Sequence, residues 1–159
     1  MYRRIILAYD GTAEGRAALR EGAMVAARNN AELHLLAILR PASIAPLGDT
    51  LGAAGDSWGP WQQVLDEGLG RLRQLGFAPH GELISGEPTD VIAAYAEEIG
   101  ADLVVVNHRK QSLIDRWWAG SSNAVLSARL PCSMLVSRNV MSDERFEEEM
   151  RRLGRLPPD

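Results

Sequence analysis

Short, unbroken apolar runs separated by longer helical patterns are the feature that most constrains the fold of this 159-residue chain. The clearest run is Leu103-Val104-Val105-Val106, whose β-branched residues favour a strand. Continuous apolarity is typical of parallel strands that are covered on both faces, whereas half-exposed strands alternate. We interpret five runs as strands, over residues 5–9, 32–39, 81–85, 102–106 and 132–137.

Helical patterns lie between and after these runs, with recognisable start signals. Thr12 is suited to cap the first helix, and proline is tolerated where Pro88 opens another. We predict helices over residues 13–28, 61–75, 88–99, 121–129 and 142–153, and a long connection over residues 41–57. Repeated strand–helix alternation favours right-handed crossovers. The sequence therefore predicts an α/β fold with a five-stranded parallel sheet, doubly wound.

Bulk composition excludes several classes of protein. With 46% hydrophobic and 24% charged residues the chain is typical of soluble globular proteins, and its net charge of -4 argues against a nucleic-acid partner. No apolar run approaches the roughly 20 residues that cross a bilayer, and the first is too short for a signal peptide. The single cysteine, Cys132, excludes an internal disulfide. We expect a cytoplasmic protein with neither nucleic acid nor a membrane as partner.

Polar residues follow the first and fourth strands, at the edge where a doubly wound sheet binds its ligands. Asp10 follows the first strand, and Asn107-His108-Arg109-Lys110 precedes Gly120-Ser121-Ser122 after the fourth. Small residues and helix N–H groups can approach a phosphate, and Arg109 and Lys110 could add charge-assisted hydrogen bonds. Asp10 could accept from a ribose hydroxyl or an adenine amine. Solvated turn residues would give a similar pattern, so the residues alone leave both interpretations open.

Other chemistries find less support in the sequence. There is no Walker-type loop, GxSxG, HExxH or Cys/His metal motif. His108, Ser112 and Asp115 have the residue types of a hydrolase triad, but they crowd into one short loop. His34 alternates with leucines in a strand, so we expect a structural role, and we assign His80 to a turn without a function.

Several segments together resemble the universal stress protein (UspA) family, from Ile5 to about Arg138. The shared segments are Ile6-Leu7-Ala8-Tyr9-Asp10-Gly11-Thr12, Gly86-Glu87-Pro88, Ala101-Asp102-Leu103-Val104-Val105-Val106, Gly120-Ser121-Ser122 and Leu130-Pro131-Cys132-Ser133-Met134-Leu135-Val136. The resemblance implies a Rossmann-like sheet of the adenine nucleotide alpha hydrolase type, with strand order 3-2-1-4-5. It also implies a family domain over residues 1–138, which leaves residues 139–159 as a helical extension.

One branch of this family binds ATP through Gly-x-x-Gly-x9-Gly-Ser/Thr, and another branch does not bind it. Here Asn107 and Lys110 stand at the first two glycine positions, while Gly120-Ser121 match the motif. The resemblance implies ATP, with Mg²⁺, at the carboxyl ends of strands 1 and 4. The implied nucleotide-binding residues are Ala8, Tyr9, Asp10, Ile38, Val106, Asn107, His108, Arg109, Lys110, Gly120, Ser121 and Ser122.

The resemblance further implies a stress-response regulator that hydrolyses ATP slowly or not at all. We expect a homodimer formed through the last strand, residues 132–137. The alternative is a nucleotide-free dimeric stress protein that acts through an unknown protein partner.

Overall fold

Five strands and four longer helices are seen in the computed structural model, which describes residues 1–39, 58–107, 126–138 and 141–158. The strands are β1 (Arg4–Ala8), β2 (Glu32–Leu39), β3 (His80–Ser85), β4 (Leu103–Asn107) and β5 (Ser133–Ser137). The helices are α1 (Ala13–Asn29), α2 (Trp58–Gln74), α3 (Pro88–Ile99) and α4 (Asp143–Arg152). Residues 126–129 are also helical; the remainder of the helix predicted over 121–129, and the connection over 41–57, lie outside the described residues.

All five strands are parallel and lie in the order β3-β2-β1-β4-β5, which confirms the predicted sheet. The register places Leu7 of the central strand between Leu35 of β2 and Val105 of β4. Parallel strands of this kind are buried on both faces, which explains why the apolar runs are continuous. Leu35 and Val105 are both buried.

The two faces of the sheet carry separate hydrophobic clusters. Alternate side chains of β1 point to opposite faces, so Ile5 and Leu7 join one cluster and Ile6 joins the other. The cluster with Ile5 includes residues of α1, α2 and α4, and the cluster with Ile6 includes Ile92 and Tyr95 of α3. Full burial of a side chain such as Ile or Leu contributes about 1.5–3 kcal/mol, so the apolar faces account for the layered arrangement.

Helix boundaries follow the capping residues in the sequence. The Thr12 side chain caps α1 by accepting a hydrogen bond from the Gly15 N–H at 3.0 Å. At the end of α3, Gly100 adopts the left-handed conformation, with φ of 61°, and its N–H bonds to carbonyls of the last turn. These caps set the directions in which the chain enters and leaves the sheet.

Helix α4 follows β5 in the sequence and packs on the hydrophobic cluster that contains Ile5 and Leu7. Ser142 caps it, accepting from the Arg145 N–H at 3.3 Å. Phe146 and Met150 are buried in the cluster that contains Ile5 and Leu7. The helix therefore contributes to the core of the sheet domain, while the division at residue 138 stays a prediction.

One assignment made from the sequence was wrong. His80 is the first residue of β3 and not part of a turn, because its backbone pairs in register with His34 of β2. A glycine and a proline beside it, Gly81 and Pro79, favour a turn by local sequence, and the ladder with β2 overrides that preference. Among the described residues, no helix is long and apolar enough to span a membrane.

Candidate functional site

The carboxyl ends of β1, β4 and β5 meet at one edge of the sheet, which is where doubly wound folds place ligands. Asp10 follows β1 closely, Asn107 ends β4, and Ser137 ends β5. Asn107 and Ser137 are partners in the β4–β5 register. Residues that are far apart in sequence are thus brought to one polar edge.

Asp10 is held by the turn that leads from β1 into α1. Its Oδ1 accepts hydrogen bonds from the Thr12 N–H at 3.0 Å and from the Thr12 hydroxyl at 2.6 Å. Gly11 takes a φ of +73°, which favours glycine and turns the chain towards the helix. A Cβ added at Gly15 would displace the Asp10 carboxylate, so the glycine leaves room for Asp10 Oδ1. The turn therefore fixes the position of the carboxylate.

Asn107 connects the ends of β4 and β1. Its Nδ2 donates to Asp10 Oδ2 at 3.4 Å, and its side chain is largely buried. Since a carboxylate can only accept, the amide nitrogen and not the amide oxygen must face Asp10. Both oxygens of Asp10 are consequently hydrogen-bonded inside the protein.

Six of the predicted nucleotide-binding residues lie in the described part of the chain, one of them the largely buried Asn107 described above. Of the other five, Ala8, Asp10 and Ile38 are half-buried near strand ends, whereas the side chains of Tyr9 and Val106 are packed in the two core clusters. Only the backbone of Tyr9 and Val106 is therefore available to a ligand at this edge. His108, Arg109, Lys110, Gly120, Ser121 and Ser122 lie outside the described residues.

Tyr9 also carries an unusual phenol. Burial raises the pKa of Tyr9, and the negative charge of Glu67 adds to that shift. Its hydroxyl is buried and has no hydrogen-bond partner among the described residues. The group is therefore neutral near neutral pH and makes no charge available to the site.

Three residues at this edge were missed by the sequence reasoning about the site. The sequence predicts only a helix cap at Thr12, yet its N–H and hydroxyl also donate hydrogen bonds to the Asp10 carboxylate. Gly15 leaves the space that Asp10 occupies. Ser137 is buried next to Asn107, and its hydroxyl has no partner among the described residues. Its place at the end of a strand beside β4 was the available signal.

A parallel sheet of this order, covered by helices, defines the doubly wound class of α/β proteins. The model of the universal stress protein family matches residues 1–138. The chain belongs to that family, as its sequence segments predict.

Known relatives agree in length and fold. A Staphylococcus haemolyticus protein assigned to the universal stress proteins is 24% identical over 152 residues, covering 94% of this chain and 92% of the relative. A universal stress protein solved in complex with cAMP superposes with a TM-score of 0.65 at 23% identity, covering 87% of this chain and 98% of the other. The Archaeoglobus fulgidus universal stress protein in complex with dAMP gives 0.65 at 16% identity, covering 86% and 98%.

Proposed function

We propose that this protein binds an adenine nucleotide at the edge where β1 and β4 end. The observation that carries the proposal is the Asn107–Asp10 hydrogen bond, which joins the two strand ends into one polar surface. Family members of the same fold have been solved with cAMP and with dAMP. Adenine joined to a pentose is common to those ligands, so this is the best-supported part of the ligand.

The residues divide between the two ends of the nucleotide in this proposal. Asp10, Ile38 and the backbone at Ala8 and Tyr9 face the adenosine, and the backbone of Val106 lies beside it. The near side of the phosphates is assigned to Asn107, His108, Arg109 and Lys110, and the phosphates themselves to Gly120, Ser121 and Ser122, with ATP and Mg²⁺ as the full ligand. Asn tolerates left-handed backbone angles better than most residues, so Asn107 can substitute for the family glycine. Binding is proposed with slow or no hydrolysis.

A second candidate is a nucleotide-free homodimer that acts through a protein partner. It is favoured by the hydrogen bonds of Asp10, because both carboxylate oxygens already accept from Thr12 and Asn107 and do not need a ligand as donor. The dimer is proposed to form through β5, which lies at the edge of the described sheet with Met134, Leu135 and Val136 only partly buried. An edge strand of this kind offers unpaired backbone groups to a second chain.

Thermal unfolding with and without nucleotide separates the two candidates. A ligand present at 100 times its Kd stabilises the native state by about 2.7 kcal/mol, which for a chain of this size raises Tm by about 5–10 °C. We expect ATP with Mg²⁺ to produce such a shift in stripped full-length protein, and Gly120→Asp to abolish it by adding charge where the phosphates bind. An unchanged Tm in the parent protein would support the nucleotide-free candidate.

A further inference from the structure

Two histidines and a glutamate meet at the amino ends of β2 and β3, at the opposite edge of the sheet from the proposed nucleotide site. Glu32 and His34 are two residues apart in β2, so their side chains lie on the same face. The parallel register places His80, the first residue of β3, directly beside His34. The strand pairing itself therefore builds the cluster.

Two of the three separations between ligand atoms in this cluster match those of a tetrahedral metal site. Glu32 Oε1 lies 3.3 Å from His34 Nε2 and 3.1 Å from His80 Nε2, and all three atoms are within 4.8 Å of one another. Ligands at about 2.1 Å from a tetrahedral Zn²⁺ lie about 3.4 Å apart. Glu32 and His80 are exposed, so they can rotate to close the longest separation.

His34 is oriented as metal-bound histidines usually are. Its Nδ1 lies 3.1 Å from the Tyr95 hydroxyl, and the residue is only 7% exposed. The buried Nε2 points towards Glu32 but makes no hydrogen bond with any described residue. A partner on Nδ1 orients the ring, and in the tautomer that donates from Nδ1 to the Tyr95 hydroxyl the Nε2 nitrogen can bind a cation.

The surroundings of the cluster hold the Glu32 carboxylate in place. Glu32 Oε2 accepts a hydrogen bond from Arg4 Nε at 3.4 Å, which leaves Oε1 facing the two histidines. The imidazole rings of His34 and His80 stack, with centroids 4.8 Å apart.

We propose that Glu32, His34 and His80 bind a divalent transition-metal ion, with Zn²⁺ the best match to two imidazoles and one carboxylate. A water molecule would complete the tetrahedron on the exposed side of the cluster. Sequence reasoning missed the site because Glu32 and His34 are separated from His80 by nearly fifty residues, and no local motif connects them.

The test is titration of metal-stripped, full-length protein with ZnCl₂ alone, in the absence of nucleotide, followed by Co²⁺ visible absorption as a report on geometry. We expect one Zn²⁺ per chain and a tetrahedral Co²⁺ spectrum. His80→Ala and Glu32→Gln remove exposed ligands, so both variants should fold. Each should weaken Zn²⁺ binding by more than the 10–100-fold that loss of a second-shell partner costs.

Matched variants distinguish this site from adventitious binding. Tyr95→Phe, which removes only the partner of His34 Nδ1, should weaken binding by about 10–100-fold. Cys132→Ser and Glu147→Gln, which alter a thiol and a carboxylate elsewhere, should leave the affinity unchanged. Unaltered Zn²⁺ affinity in His80→Ala, or loss of binding only in Cys132→Ser, would overturn the proposal and leave the cluster as an ion pair.

Discussion

Asn107 at the end of β4 donates a hydrogen bond to Asp10 after β1, and this contact joins two strand ends that are 97 residues apart in sequence. Asp10 is held from its other side by Thr12, so the carboxylate links the β1–α1 turn to β4. Polar residues are thereby ordered at the edge of the sheet before any ligand arrives. Preorganised groups of this kind bind at a lower entropic cost.

Removing the Asp10 carboxylate should destabilise the protein as well as weaken nucleotide binding. Asp10→Ala leaves the Thr12 N–H and the largely buried Asn107 amide without their acceptor, at a cost of about 1–3 kcal/mol in the free energy of unfolding. Urea denaturation measures this loss.

Asp10→Asn is the matched control for that variant. Its side-chain oxygen can still accept from Thr12, and Asn107 can turn its own amide to offer an oxygen to the new NH₂ group. We expect a clearly smaller loss of stability. Equal losses in the two variants would show that the hydrogen bonds to Asp10 do not hold the strand ends together.

The strands and helices could be predicted because local signals agree with the final fold, whereas the strand order was implied by the family resemblance. Continuous apolar runs indicate strands buried on both faces. Thr12 marks the start of α1, and Gly100 marks the end of α3. The contacts of Asp10, Asn107 and Ser137 could not be predicted, because they depend on which residues the register of separate strands sets side by side.

Dependence on strand register also explains why the histidine cluster at the amino ends of β2 and β3 could not be predicted. Within its own segment His80 follows Pro79 and precedes Gly81, which favours a turn. Only pairing with β2 extends β3 to His80 and places the ring against His34. A pairwise contact between strands leaves no periodic signal in one sequence.

Two glycines of α2 should respond in opposite ways to alanine. A methyl group at Gly68 would lie 2.6 Å from Leu35 Cδ2 and 2.8 Å from the Tyr9 ring, so α2 or these two buried side chains would have to shift. Overpacking costs about 1–3 kcal/mol and exceeds the roughly 1 kcal/mol gained in helix propensity, so Gly68→Ala should lower the free energy of unfolding.

Gly70→Ala is the control, because nothing lies within 4 Å of a methyl group at that position. It should raise the free energy of unfolding by about 1 kcal/mol through helix propensity alone. Chemical denaturation of both variants gives the comparison. Stabilisation by Gly68→Ala would mean that α2 does not pack closely on β1 and β2.

Truncating Met150 should show how strongly α4 contributes to the core. Its side chain is fully buried in the cluster with Ile5 and Leu7. Met150→Ala should therefore lower the free energy of unfolding by about 2–5 kcal/mol. Glu147→Ala on the exposed face removes only an i,i+4 ion pair with Arg151. It should lower the free energy of unfolding by a few tenths of a kcal/mol. Similar melting temperatures for the two variants would place α4 outside the cooperative unit.

The stability of the protein should fall at high pH through Tyr95. Burial, with a smaller effect of Glu82, raises the pKa of Tyr95 to about 12. An unfolded tyrosine ionises near pH 10, so the unfolded state binds fewer protons between about pH 10 and 12 and stability declines over that range.

The stability that the neutral Tyr95 phenol contributes is fully present below about pH 10. It is lost as the pH rises towards the pKa of Tyr95 in the folded protein. Urea unfolding of the parent and of Tyr95→Phe on both sides of about pH 10 tests this sign. The variant should lose less stability on alkalinisation. Parallel declines in the two proteins would assign the effect to other groups, such as Tyr9.

Isothermal titration calorimetry of nucleotide-stripped, full-length protein with ATP and Mg²⁺ tests the proposed function most directly. We expect saturable heat with one site per chain, and no heat in a folded Gly120→Asp variant. Absence of heat at millimolar ATP in a parent sample shown to be folded would contradict nucleotide binding and leave the nucleotide-free interaction protein as the better explanation.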